Sequence, residues 1–97
     1  MRLTNLEKFA INEAIKDINN EVYLFWSRID DTRKWWDIDL IVINTWLENN
    51  LELSIKIQRI FQKNCDEKID IIILSKNMKK EEKLFFNSVK KICIKSF

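Results

Sequence analysis

The segment at residues 22–43, VYLFWSRIDDTRKWWDIDLIVI, constrains the fold more than any other part of the chain. Both of its ends are apolar and rich in strand-forming residues, which predicts strands at 22–25 and 37–43 joined by a polar turn. Side chains two residues apart in a strand point to the same face, so Asp37 and Asp39 are expected to converge on one spot. Converging carboxylates repel each other unless a cation lies between them, and oxygen ligands of this kind suit Mg²⁺.

The remainder of the chain predicts helices around these strands. Thr4 and Glu7 form a capping box that opens an amphipathic helix at 4–18, and Thr45 and Glu48 form a second one that opens a helix at 45–64. A charged amphipathic helix is predicted at 79–91. Its inward-facing positions are predicted to be Leu84, Phe85, Val89 and Ile92.

A third strand is predicted at 68–74, KIDIIIL, and it is expected to be buried on both faces because nearly all its residues are apolar. Residues 93–97 could add a short fourth strand. The order αββαβα(β) predicts an α+β fold in which helices pack on a small mixed sheet of three or four strands.

Composition limits the class of protein. A chain of 97 residues predicts one domain over residues 1–97, and a net charge of +2 with interleaved charges argues against a nucleic-acid module. No apolar run approaches the roughly 20 residues that span a bilayer, and no N-terminal signal pattern is present, so a cytoplasmic protein without membrane contact is expected. Cys65 and Cys93 have no metal or redox spacing and are expected to be buried free thiols.

Two aspartates stand inside apolar strands. Asp39 and Asp70 each need a cation, a polar partner or water, because an unpaired buried charge costs several kcal/mol. Either residue taken alone could lie at a solvated strand end or pair with a Lys or Arg. Together with Asp37, on strands that can lie side by side, they form a candidate metal-binding triad that follows a turn carrying Ser27.

The motif in this segment is similar to that of a known family. Phe25-Trp26-Ser27 is followed by nine residues and then by Asp37-Ile38-Asp39-Leu40. This arrangement resembles the signature of the DNA polymerase β-like nucleotidyltransferases, and within them most closely the minimal nucleotidyltransferase (MNT) domains. The resemblance covers the first helix, both motif strands, the long helix and the third strand with its Asp, and it implies the nucleotidyltransferase fold.

The resemblance implies a role for each matching residue. Asp37 and Asp39 match paired Mg²⁺ ligands, and Asp70 matches a third carboxylate that binds metal and takes the proton of the attacking hydroxyl. Ser27 matches a serine that contacts the terminal phosphates of ATP. Two Mg²⁺ ions would stabilise the attacking and leaving oxygens of the displacement.

The same turn also carries basic and aromatic residues. Arg28 and Lys34 are candidates for phosphate contacts or, alternatively, solvated surface charges. Trp26 replaces a family glycine in the nucleotide-binding turn, and Trp35–Trp36 stand where related sequences often have Gly-Gly. Glycine suits such a turn because the backbone must approach phosphate closely.

The whole chain contains no glycine and four tryptophans, although average usage would give about seven glycines. One explanation is a genuine but degenerate site. The other is a gene whose UGA codons specify glycine and were translated as tryptophan, with Trp46 as a fourth case. UGG codons at 26, 35 and 36 would exclude the second. For Trp46, packing in the core is the ordinary alternative.

The function implied by the resemblance is transfer of AMP from ATP to a hydroxyl on a partner protein. MNT domains of this size are often antitoxins that adenylylate a tyrosine of a HEPN-domain ribonuclease. The alternative is a non-catalytic interaction protein, a degenerate nucleotidyltransferase that neutralises its partner by binding through the last helix and the Trp cluster.

Overall fold

The computed structural model describes residues 3–26, 38–67 and 69–96. Three helices and four strands are formed, in the order α1 (Asn5–Ile15), β1 (Val22–Trp26), β2 (Ile38–Asn44), α2 (Asn50–Asn64), β3 (Ile69–Ser75), α3 (Lys80–Ser88) and β4 (Lys90–Lys95). The predicted order of elements is confirmed, including the fourth strand, which begins at Lys90 rather than at residue 93. No helix within these residues has the length and apolar character needed to cross a membrane.

The four strands form one mixed sheet in the order β3-β2-β1-β4. β1 runs antiparallel to both β2 and β4, while β2 and β3 run parallel. The parallel pair is connected through α2, as a crossover between parallel strands requires. This architecture confirms the predicted α+β class.

The two faces of the sheet are covered unequally. On the face that we call the helix-pair face, α1 and α2 pack over alternate strand residues and form the main core. Its fully or almost fully buried members include Ala10, Ala14, Val22, Leu40, Val42, Ile57 and Phe61. Burial of each large side chain of this kind contributes about 1.5–3 kcal/mol.

The opposite face, which we call the α3 face, carries a smaller cluster. Phe25, Ile41, Ile43 and Leu74 are buried there. α3 is held by two edge-to-face ring pairs, Phe25–Phe85 at 5.8 Å and Tyr23–Phe86 at 5.1 Å between centroids. No residue of α3 is fully buried, so this helix covers its face only in part.

The first capping box is confirmed. The Glu7 N–H donates to Thr4 Oγ1 (3.1 Å), and the Thr4 N–H donates to Glu7 Oε1 (2.7 Å). α1 ends at Ile15, earlier than the predicted residue 18. The ammonium group of Lys95 donates to the Ile15 carbonyl (2.6 Å), so a distant residue satisfies an acceptor at the end of this helix.

The second predicted capping box is wrong. Thr45 does not open α2, because the Asn44 side chain donates to the Glu48 carbonyl (2.7 Å) and accepts from the Glu48 N–H (3.0 Å). These bonds hold the backbone of Glu48 in a loop. Asn49 caps the helix instead and accepts from the Glu52 N–H (3.1 Å).

The prediction for the last helix is wrong in part. Phe85 and Val89 pack on the α3 face as expected, whereas Leu84 is 62% exposed. Ile92 lies in β4 and is 54% exposed. The helix stops at Ser88 because the following residues pair with β1, which satisfies their backbone groups in the sheet.

Two burial predictions, for β3 and for Cys93, are also wrong, and the alternative of core packing for Trp46 does not hold. β3 is an edge strand with β2 as its neighbour, so Ile71, Ile72 and Ile73 are only half-buried. Trp46 is 54% exposed, with Nε1 donating to the Asn19 carbonyl (2.8 Å). Cys93 is exposed on β4, whereas Cys65 is buried as predicted.

Candidate metal-binding site

Asp39 and Asp70 are neighbours across the parallel pair β2–β3. They are register partners, as are Ile41 and Ile72 further along the same strands. Residues in register on neighbouring strands point to the same face, and the strands lie about 4.8 Å apart. The structure therefore brings these two aspartates together on the α3 face of the sheet.

Apolar side chains flank Asp39 on the side of β1. Asp39 is 2% exposed, and Asp70 is half-buried at the sheet edge. On its other side Asp39 is in register with Phe25 of β1, whose ring is packed against Phe85 of α3. Low polarity strengthens any electrostatic interaction in which these carboxylates take part.

The chemistry of the pair suits a hard divalent cation. Two carboxylates side by side supply several oxygen ligands and concentrate negative charge, which Mg²⁺ and Ca²⁺ prefer. Within residues 3–26, 38–67 and 69–96, no group of three or more His, Cys, Asp or Glu could hold a metal. Of the three aspartates predicted as ligands, Asp39 and Asp70 lie within the described residues.

Most of the other predicted site residues lie between the described segments 3–26 and 38–67. Asp37, Ser27 and Arg28 lie outside the described residues, as do Lys34 and Trp35–Trp36. Trp26 is the last residue of β1, and its backbone pairs with Lys90. Because β1 and β2 are antiparallel, the last residue of β1, Trp26, and the first residue of β2, Ile38, lie at the same end of the two strands, close to Asp39.

A second acidic pair was missed by the sequence reasoning. Glu7 is 4% exposed, and the carboxyl group of Glu67 is hydrogen-bonded to it. This hydrogen bond, together with burial and the charge of Glu7, raises the pKa of Glu67 to about 7. The sequence indicates only a capping role for Glu7. No local pattern indicates that the side chain of Glu67, 60 positions later, contacts that of Glu7.

A cavity of about 690 Å³ lies at the opposite, carboxyl ends of β2 and β3. Its lining is polar and includes Asn44, Ser75 and Lys76. The Asn44 carboxamide is already occupied by bonds to Glu48 and Asn50, so it serves the loop before α2. This cavity is separate from the aspartate pair.

Comparisons with protein-family models, with curated proteins and with solved structures found no match to this chain. The case for the site therefore depends on the register of its strands and on the chemistry of its residues.

Proposed function

We propose that this protein is a Mg²⁺-dependent nucleotidyltransferase with the nucleotidyltransferase fold, and that it transfers AMP from ATP to a hydroxyl group. The observation that carries the proposal is the register of Asp39 with Asp70 on parallel strands. The motif residue Asp37 precedes Asp39 by two positions, which is the spacing of side chains on one face of a strand.

The residues present fit a magnesium site. Asp37, Asp39 and Asp70 would hold two Mg²⁺ ions, which supply charge neutralisation for the triphosphate. The burial of Asp39 beside Phe25 favours this role, since a paired or metal-bound carboxylate is the form in which buried charge persists.

In the proposed reaction the acceptor oxygen forms a bond to the α-phosphorus, and the bond between that phosphorus and the pyrophosphate oxygen breaks. Asp70 takes the proton from the attacking hydroxyl, and pyrophosphate leaves. By the motif resemblance, Ser27 and Arg28 would contact the phosphates, and Trp26 would border the nucleotide. Such a reaction depends on positioning and charge stabilisation more than on covalent chemistry by the protein.

We further propose that the acceptor belongs to a partner protein, a HEPN-domain ribonuclease silenced by adenylylation of a tyrosine, as the motif resemblance implies. α3 covers its face only in part, and Asp70 is half-buried at the sheet edge, which favours approach of a partner from the Asp70 side.

The test is label transfer from α-labelled ATP, with Mg²⁺, to the product of the neighbouring gene. Asp39→Asn and Asp70→Asn should each reduce transfer by about 100-fold or more, since loss of a metal ligand removes charge stabilisation of the transition state. Asp66→Asn is the matched control, because Asp66 is exposed and lies in the loop before β3. Full transfer by both site variants would overturn the proposal.

A second candidate is the non-catalytic binder. It is favoured by apolar side chains that remain exposed on α3 and on the loop before α2, namely Leu84 and Trp46. In that case the partner is inhibited without acquiring label. Leu84→Ser would then weaken inhibition, and Asp39→Asn would leave it unchanged.

A further inference from the structure

The two edges of the sheet differ in chemistry. β4, at one edge, carries Lys90, Lys91 and Lys95 among its six residues. β3, at the other edge, has seven residues, and Asp70 is the only charged one among them. Edge strands expose backbone N–H and C=O groups that can pair with another strand, and lysines are a common protection against this. β3 lacks that protection.

The side chains of β3 are incompletely covered on both faces of the sheet. Ile71 and Ile73 pack against the helix-pair cluster and Ile72 against the α3 cluster, yet all three remain half-buried. Among the described residues, β3 has a strand neighbour, β2, on one side only. A strand added along β3 would cover apolar surface on both faces at once.

The backbone of β3 indicates which groups are directed outward. The Ser75 N–H donates to Glu82 Oε2 (3.0 Å), so it is directed away from β2. The N–H and C=O groups of successive residues alternate in direction along a strand. The backbone groups of Ile71 and Ile73 are therefore also directed away from β2. In an antiparallel pair of such strands, each residue whose N–H and C=O point outward must lie opposite another of the same kind. A two-fold axis between the strands meets this condition only if it passes through a residue position, not between two positions.

We propose that β3 pairs antiparallel with β3 of a second copy of this chain, about a two-fold axis at Ile72, the midpoint of Ile69–Ser75. Ile72 of one copy then lies opposite Ile72 of the other. Ile71 of each copy lies opposite Ile73 of the other copy in a hydrogen-bonded pair. Asp70 faces Leu74. The two sheets join into a continuous sheet of eight strands, and the interface is the same patch on both subunits, as a two-fold requires.

The charges of the strand favour a second copy as the occupant. Self-pairing puts no like charges opposite each other, because the two Asp70 residues lie about 13 Å apart along the strands. This distance exceeds the Debye length of about 8–10 Å at physiological salt. The lysines of β4 stand near both ends of that strand, so self-pairing there would place positively charged strand ends beside each other. This inference does not depend on the proposed enzymatic activity.

The test is the solution mass of the whole chain under reducing conditions, measured by light scattering and sedimentation over the micromolar range. We expect a dimer with twice the 11.8 kDa of the chain. Ile72→Lys should weaken the dimer about tenfold or more, because two ammonium groups would oppose each other at the axis. Ile92→Lys on β4 is the matched control and should leave the dimer unchanged. Circular dichroism checks that both variants remain folded.

A second measurement covers the case in which Ile72→Lys unfolds. In a Cys93→Ser background, Ile72→Cys should form an intermolecular disulfide on mild oxidation, because residues at the axis of a non-hydrogen-bonded antiparallel pair lie close enough. Ile92→Cys in the same background should not. A wild-type monomer at every concentration, a dimer that Ile92→Lys weakens and Ile72→Lys does not, or no disulfide at position 72 would each overturn the proposal.

Discussion

We expect the pair Glu7–Glu67 to make the stability of this protein depend on pH near neutrality. Oε2 of Glu67 is buried, and no N–H or O–H group among the described residues donates to it. The two carboxyl groups are joined by a hydrogen bond, which requires one of them to keep its proton. The neutral partner is Glu67, because its pKa is raised to about 7.

The ionised partner is Glu7. Burial acts to raise the pKa of Glu7, but hydrogen bonds from Glu67 and from the Thr4 backbone outweigh it and lower that pKa below the ordinary 4.5. The contribution of ionised Glu7 to the free energy of unfolding is therefore fully present above its unfolded pKa and is lost as the pH falls below about 4.5. The pair as a whole is most favourable when it holds one proton.

The neutral form of Glu67 gives the opposite dependence. Its folded pKa of about 7 exceeds the ordinary 4.5, so its stabilisation is complete below pH 4.5 and is lost as the pH rises through 7. The upper limit is about 3 kcal/mol, since each pKa unit corresponds to ~1.4 kcal/mol. Glu67 is only half-buried, so solvent screening reduces the expected loss to about 1–2 kcal/mol.

The assay is thermal unfolding of wild type and Glu67→Gln from pH 5 to 8. The wild-type Tm should fall by roughly 5–10 °C across this range, given the size of the chain. Glutamine donates to Glu7 at every pH, so Glu67→Gln should remove most of the fall. Glu81→Gln, an exposed change on α3, is the control and should keep it. An undiminished pH dependence in Glu67→Gln would refute the reasoning.

Two further predictions concern the fold itself. Thr4→Ala removes the side-chain acceptor of the α1 capping box and should lower the free energy of unfolding by about 1 kcal/mol, measured by urea titration, whereas Thr4→Ser should restore most of it. Phe61→Ala empties a fully buried position between α2 and the sheet and should cost about 3–5 kcal/mol in the same titration. Leu84→Ala, at an exposed position, should change it by less than about 0.5 kcal/mol, and an equal loss in both variants would contradict the core described here.

Local patterns were sufficient for much of the fold. The capping box of Thr4 and Glu7 predicted the start of α1, because all its bonds lie within one turn. Runs of apolar, strand-forming residues predicted β1 and β2, and the alternation of side chains along a strand put Asp39 on the face opposite Leu40. The acidic residue at position 70 was predicted to lie beside Asp39, and the two are register partners on parallel strands.

Tertiary structure decided the features that depend on distant residues. β3 has the apolar composition of a central strand, yet it lies at the edge of the sheet. Its position follows from its pairing with β2, not from its hydrophobicity. The Asn44 side chain, rather than Thr45, determined where α2 begins. The helix predicted to continue to residue 91 ends at Ser88, and the following residues form β4, which pairs with β1. Periodicity reports which residues can share a face, while backbone pairing between distant segments determines which faces and edges stay exposed.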